Sequence, residues 1–409
     1  MTRSTAQAGI IVAKNVAVPM SDGVTLRVNV FRPDHPAPVV MSMTPYGKDN
    51  TPDRIGMLTM RLSGVRFGHL NCSPMTGFES PDPQFWVSNG YAVVQGDARG
   101  MHASDGIGGF LTDQDAQDYA ELIGWAADQS WSTGAVALNG VSYLCMSQWR
   151  VAALRPRGLA AIVAWEGVSD LLREFAYHGG IPETGFVPIW WKMRMRRGSH
   201  RGATMGEDFL ADSRRHPLDD AYWAAKRPDL SAIDVPALVA ASWSDHGLHS
   251  RGTLLAYEQL CGPKWLVVHG RRKWETYYSA EALELQRRFL DHFLKGASAD
   301  WADEPAVRYE RRHTPHPVHG SHLDALAAPA RDIADAVPGR RLNDADPTTK
   351  RPRPEGFLLR CATAATSGSR HVHPQVHRRH RDHRQHGPNG LDQHRRGDRL
   401  GRVRRGPQA

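Results

Sequence analysis

The run Ala135-Val136-Ala137-Leu138-Asn139-Gly140-Val141-Ser142-Tyr143-Leu144 decides how this chain is read. Its four leading apolar residues suit a buried strand, and residues 146–154 beyond it carry a helical pattern. Strand, sharp turn and helix in that order are the setting of a nucleophile elbow, which lifts a serine hydroxyl above the edge of a sheet. Ser142 takes the nucleophile position and Gly140 the position two before it, where a side chain would crowd the turn. Leu144 stands where the second glycine of G-x-S-x-G is expected, so the motif is half complete. A serine in an ordinary turn would leave the same half.

On the N-terminal side, residues 10–18, 24–31 and 38–43 read as strands, with Ser21-Asp22-Gly23 turning between the first two. Residues 91–95 follow Asn89-Gly90 as a short buried strand. In residues 115–129, Tyr119, Leu122, Ile123 and Ala126 recur at three and four, which predicts a helix. On the C-terminal side, residues 160–165, 237–242 and 264–268 are strand-like and 281–294 helical. Strands alternating with helices predict an α/β fold with a mostly parallel sheet covered on both faces. With the elbow, this is the α/β-hydrolase architecture. Residues 168–230, rich in aromatics and arginine, interrupt the alternation as a helical cap insertion. They divide the core into residues 1–167 and 231–300.

The net charge of +8 would ordinarily raise nucleic acid as a partner. Its distribution argues against one. Residues 311–409 hold 20 Arg and Lys against nine Asp and Glu, a net +11, which leaves −3 for the first 310. That tail has Phe357 as its one aromatic, so bases would find no rings on which to stack. So little apolar surface cannot offset chain entropy, and residues 301–409 are expected to be mostly disordered. No run of apolar residues is long enough to span a bilayer, and residues 1–15 lack the layout of a secretory signal. Cys72, Cys145, Cys261 and Cys361 are widely spaced and include no CxxC pair. A reduced, cytoplasmic protein without a membrane partner is the expectation, and a homo-oligomer stays open.

A serine hydroxyl attacks only when a base takes its proton, and a carboxylate must orient that base. In this architecture the order is serine, acid, histidine. Asp245 follows the strand-like 237–242, and His269 ends the one at 264–268. Both fall at strand ends, where the sheet places its site. Asp245 could instead cap a helix over residues 247–255, and His269 could be a strand-end histidine bonded to backbone. His246 and His249 compete for the base role.

Further motifs agree in order and spacing: Pro45-Tyr46-Gly47-Lys48, Asp97-Ala98-Arg99-Gly100, Trp131-Ser132-Thr133-Gly134, Gln148-Trp149, Trp243-Ser244-Asp245 and the run FLDHFLKG at 289–296. Over roughly residues 15–310 the chain resembles the family of X-prolyl dipeptidyl-peptidases and cocaine esterase, the CocE/NonD-type acyl hydrolases. The resemblance implies an oxyanion hole made by the Tyr46 hydroxyl and the Tyr143 backbone N–H, and preset donors of that kind are what developing negative charge needs. It makes the loop bearing Asp97, Arg99, Ser104 and Asp105 structural, tied by salt bridges. It also implies a C-terminal jelly-roll domain, with residues 305–310 as its first strand. Three features depart from the family: Cys145 where glycine is usual, Lys273 near the usual place of the base histidine, and a C-terminal region without strand alternation, missing or degraded as a jelly roll.

Trp165, Glu166, Phe186 and Trp190 are expected to line a substrate pocket under the cap, where Glu166 could meet a substrate amine. Aromatics in such numbers are as often plain core. The histidines between 371 and 386 lack regular ligand spacing, and no dinucleotide or phosphate-loop fingerprint occurs, so neither metal nor cofactor is expected. The chain therefore reads as a serine hydrolase that cleaves esters or amides of small acyl substrates through an acyl-enzyme. An X-prolyl dipeptidyl-peptidase or amino-ester hydrolase is the alternative. From another class comes an inactive family member, truncated or altered in frame.

Overall fold

The structure, a computed structural model, describes residues 4–7, 9–52, 68–196, 204–297, 301–312 and 317–323. All of them lie in the first of two compact units, 1–351 and 352–409. Eleven strands among the described residues form one sheet. They are β1 (Ser4–Gln7), β2 (Ile10–Pro19), β3 (Thr25–Arg32), β4 (Ala37–Thr44), β5 (Ala92–Asp97), β6 (Ser132–Val141), β7 (Leu159–Trp165), β8 (Ala237–Ser242), β9 (Lys264–His269), β10 (Val307–Arg312) and β11 (Pro317–Leu323). Their order across the sheet is β1-β2-β3-β5-β4-β6-β7-β8-β9-β10-β11. From β5 through β10 neighbours run parallel. The first strands and the final hairpin are antiparallel.

Helices α1 (Pro83–Ser88), α2 (Asp113–Ala127), α3 (Tyr143–Ala153), α4 (Ser250–Gln259), α5 (Lys273–Tyr277) and α6 (Ala280–Lys295) accompany the sheet. Central strands are apolar at consecutive positions because both faces are covered. In β4, Val39, Met41 and Met43 enter a core cluster with Leu122 of α2 and Trp149 of α3, while Val40 enters a second with Trp86 of α1 and Phe289 of α6. Helix α2 starts two residues before the predicted range of 115–129, because Thr112 caps it and Asp115 closes the capping box. Gly296, at φ 63°, ends α6 in the left-handed conformation that suits glycine.

The cap lies between β7 and β8 as short helical pieces, Leu172–Ala176, Phe186–Trp190, Trp191–Met195, Phe209–Arg215 and Ala221–Lys226. Phe110 touches Phe175, Trp190, Trp191 and Phe209 with ring centroids 4.9–5.8 Å apart, so the aromatic richness of this stretch is largely packing. The expected first jelly-roll strand belongs elsewhere. β10 pairs in parallel with β9 and extends the hydrolase sheet. The Trp243 indole N–H donates to the Glu310 carbonyl at 2.7 Å, and the Gly270 N–H donates to its carboxylate at 2.8 Å. Without β10, β9 would present an unpaired edge. The remaining expectations for the C-terminal region, and the histidine-rich run at 371–386, fall outside the described residues.

The loop after β5 is structural, as expected. The Asp97 carboxylate accepts from the Lys48 backbone N–H at 2.6 Å and from its ammonium at 2.9 Å. Arg99 grips Asp118 through two bonds of 2.6 Å. The Asp97 contacts fix the segment that carries Tyr46.

Candidate active site

Strand β6 delivers Ser142 with φ 59° and ψ −116°, a strained conformation for a residue with a Cβ. Two neighbours hold it there: the Ser142 N–H donates to the carbonyls of Trp165 and Glu166 at 3.0 and 3.1 Å. Behind the turn, the Tyr277 hydroxyl donates to Asn139 at 2.9 Å and Asn139 donates to Gln286 at 2.9 Å. The half-motif also has an explanation. A Cβ at Gly140 would lie 2.5 Å from the Leu144 Cβ, so one glycine makes room for the leucine that replaces the other. In the same way a Cβ at Gly167 would sit 2.7 Å from the Cys145 sulfur, which accommodates the departure at 145.

His249 stands at the serine. Its Nε2 is 3.1 Å from Ser142 Oγ, and its Nδ1 is 2.5 Å from an Asp245 carboxylate oxygen. Asp245 follows β8 as expected, and its carbonyl rather than its carboxylate accepts the N–H groups of Leu248 and His249 at 3.2 and 3.1 Å. The carboxylate is thereby left for the imidazole. His269 does not join this group, which corrects the expectation for it. Its Nε2 lies 2.9 Å from Glu166 in a pair whose side chains are 2% and 0% exposed. The physical reason is direction: β9 ends with the His269 ring packed beside Trp165, 5.8 Å between centroids, beneath the elbow. The signal for His249 was its spacing four residues after Asp245, one turn of chain.

Ser142, His249 and Asp245 open onto a cavity of about 340 Å³ lined by Tyr46, Phe78, Glu79, Phe186, Trp190, Arg194, Lys273 and Trp274 among others. Phe186 and Trp190 are there as expected. Glu183 puts them there, since its carboxylate accepts the N–H groups of Gly185, Phe186 and Val187 at 2.8–2.9 Å and so starts their helix. Trp165 and Glu166 are not among the lining residues. Trp165 is buried against Tyr277, and Glu166 is committed to His269, so both expectations for them are corrected. Lys273, noted in the sequence only as standing near the usual place of the base histidine, also lines the cavity, while Glu79, Phe78 and Trp274 went unread, since nothing in their spacing marks them.

Tyr46 lines the same cavity, its ring 6.1 Å from that of Tyr143 and 6.5 Å from that of Trp190. Burial holds its hydroxyl well above the usual tyrosine range, so it remains a donor. Tyr143 is the first residue of α3, where a backbone N–H has no partner within the helix, and its ring is buried 6.0 Å from Phe110. Burial opposes the Asp245 charge, but His249 and Lys273 outweigh it and hold the carboxyl well below the usual range. Burial, seconded by the Lys273 charge, keeps His249 below the ordinary histidine value. Burial pushes Glu79 up to about 7. Among the described residues no cluster of His, Cys, Asp and Glu is disposed to hold a metal.

Residues 22–272 match the family model described as X-Pro dipeptidyl-peptidase (S15 family), which is more than half of the chain. The chain belongs to this family. Cocaine esterase from Rhodococcus sp. (strain MB1 Bresler) is a relative at 28% identity, over 73% of this chain and 57% of that one. A crystal structure of a CocE/NonD family hydrolase from Staphylococcus aureus is similar with a TM-score of 0.73 at 42% identity, covering 78% of this chain and 57% of that chain. An alpha-amino acid ester hydrolase structure shares the fold, with a TM-score of 0.59 at 18% identity over 78% of this chain and 60% of that one. The family member thus spans little more than half the length of these relatives. Its α/β-hydrolase fold is the one the elbow and the strand–helix alternation implied.

Proposed function

We propose that the chain is a serine hydrolase that cleaves an ester or amide bond of a small acyl substrate. One observation carries the reading: Ser142 Oγ, His249 Nε2 and His249 Nδ1–Asp245 form an unbroken hydrogen-bonded line at 3.1 and 2.5 Å on the wall of a cavity. His249 takes the hydroxyl proton as the Ser142 oxygen adds to the carbonyl carbon, and Asp245 faces the imidazolium so formed. The Tyr46 hydroxyl and Tyr143 N–H donate to the oxyanion. Collapse expels the alcohol or amine, to which His249 returns the proton, leaving an acyl group on Ser142. Water, deprotonated by the same imidazole, then releases the acid. The Cys72 and Cys145 thiols are not in disulfides, in keeping with the cytoplasm, and no helix among the described residues is long and apolar enough to cross a membrane.

A second reading, dipeptidyl-peptidase or amino-ester hydrolase, is favoured by Glu79. Its Oε1 accepts from the Trp274 indole at 2.9 Å, while its buried Oε2 has no hydrogen-bond partner in the structure. A substrate N–H in the cavity could use that oxygen, a role closed to Glu166, which is not among the residues lining the cavity. Labelling with a fluorophosphonate, followed by mapping of the modified residue, tests the serine. Modification at Ser142, with p-nitrophenyl ester turnover lost in Ser142→Ala, is expected. An unlabelled, inert protein would favour the inactive family member instead.

A further inference from the structure

Acid and base here come from one turn of chain, four residues apart, rather than from the ends of two different strands. The residues leading into that turn are tied to the neighbouring strand, the Trp243 N–H donating to the His269 carbonyl at 2.8 Å and the Ser244 hydroxyl to the Gly270 carbonyl at 3.1 Å. Lys273, at the start of α5 after β9, ties the acid and the base themselves. Its ammonium lies 2.6 Å from the same Asp245 oxygen that faces His249, and 2.8 Å from His249 Nδ1. The Lys273 side chain is 10% exposed and that of His249 1%, so their contact is shielded from water, while Asp245, at 24%, is the corner that reaches it.

The three atoms cannot all be bonded pairwise. Nδ1 either carries a proton, which it donates to Asp245, or a lone pair, which accepts from Lys273. With the lone pair on Nδ1, the neutral ring would bear its proton on Nε2 and could not accept one from Ser142. It would also set that lone pair 2.5 Å from a carboxylate oxygen. The arrangement that satisfies Asp245 puts the proton on Nδ1 and directs the Lys273 donors to the carboxylate. Lys273 then faces Nδ1–H as a positive charge without a bond to it.

We propose that Lys273 is a positioning residue for the reaction read above: its ammonium fixes the Asp245 carboxylate, and its charge against the ring keeps His249 neutral, with Nε2 open to the serine proton, into mildly acidic solution. Other charged groups act around it. Glu166, at the end of β7, favours a protonated ring but is paired with His269. Asp245 favours it too, and Lys273 shares that carboxylate. Glu79, Glu183 and Arg194 line the same cavity. Burial and Lys273 together outweigh the two carboxylates, which leaves the ring below the ordinary histidine range. The arrangement trades stabilisation of the imidazolium for a base that stays deprotonated at lower pH.

The experiment is the pH dependence of kcat/KM on a neutral p-nitrophenyl ester for wild type, Lys273→Met and Lys273→Arg, each checked for folding by circular dichroism. The wild-type acid limb is expected below about pH 6.5, the ordinary histidine value. Lys273→Met should move it up by about one unit or more, a further tenfold loss at acidic pH, whereas Lys273→Arg should keep it low. An unmoved limb in Lys273→Met overturns the proposal. Should Lys273→Met fail to fold, the His249 ring proton titrated by NMR in Ser142→Ala replaces it, and a midpoint at or above about 6.5 is the overturning result. That titration reads the protonation of the ring, which burial and Lys273 set together, whether or not the ring is the base. Full activity in His249→Ala would refute the functional reading separately.

Discussion

Replacing each of the two histidines by alanine separates the two roles the structure gives them. His249→Ala removes the group 3.1 Å from Ser142 Oγ, and no other imidazole is bonded to that serine among the described residues. A positioned general base contributes about 10²–10⁴-fold, and one acting as a unit with its nucleophile falls at the upper end. The expected loss in kcat is therefore about 10⁴-fold, or about 5 kcal/mol at 1.36 kcal/mol per tenfold. The loss of stability should be the smaller of the two, since Asp245 keeps Lys273 as its partner. His269→Ala does the reverse. It strips Glu166, whose side chain is wholly buried, of its partner, and breaking a buried pair on one side costs on the order of 3–5 kcal/mol. For a domain of this size that is a fall in Tm of roughly 6–15 °C, with kcat lowered by less than about tenfold. Stopped-flow or steady-state turnover of p-nitrophenyl acetate, with calorimetry on the same samples, gives both numbers. If His269→Ala were the dead variant and His249→Ala turned over normally, the assignment of the base would be refuted.

On the proposed mechanism Tyr46→Phe removes one oxyanion donor and should lower kcat about 10²–10³-fold with KM nearly unchanged, as steady-state kinetics would show. Gly140→Val places a side chain against Leu144 at a spot where even a Cβ comes within 2.5 Å, and should cost about 1–3 kcal/mol by urea unfolding. Burial penalises the Glu79 charge and pushes its carboxyl up to about 7, from an ordinary value of about 4.5. The folded chain thus retains a proton that the unfolded chain releases first, so this group favours folding at low pH and that contribution fades as pH rises from about 4.5 to about 7. Wild type should lose stability across that window relative to Glu79→Gln, by an amount on the order of 3 kcal/mol, measured by urea titration at pH 5 and 8. Parallel curves for the two proteins would count against a buried, proton-holding Glu79.

Much was legible because it is local. Apolar runs, turn residues and a glycine two before a serine are properties of adjacent positions, and they gave the parallel sheet, the elbow at Ser142 and the strand-end place of Asp245. The motif resemblance supplied Tyr46 and the Asp97 loop, and Phe186 and Trp190 reached the cavity because the cap insertion was recognised as one. What sequence order alone misplaced was His269. His269 obeys the rule of serine, acid, histidine along the chain, yet only the packing of β9 beside β8 and beneath the elbow turns its ring toward Glu166 and away from Ser142. His249 wins because one turn after Asp245 returns the chain to the serine, a matter of direction in space that separation along the chain does not encode. Residues 307–310 likewise carry a strand pattern that fits either a new domain or a further strand of the old one, and the unpaired edge of β9 decides between them. The cluster of Lys273 and Glu79 is likewise tertiary. A lysine and a glutamate 194 residues apart bear no mark of partnership until folding removes the water around both.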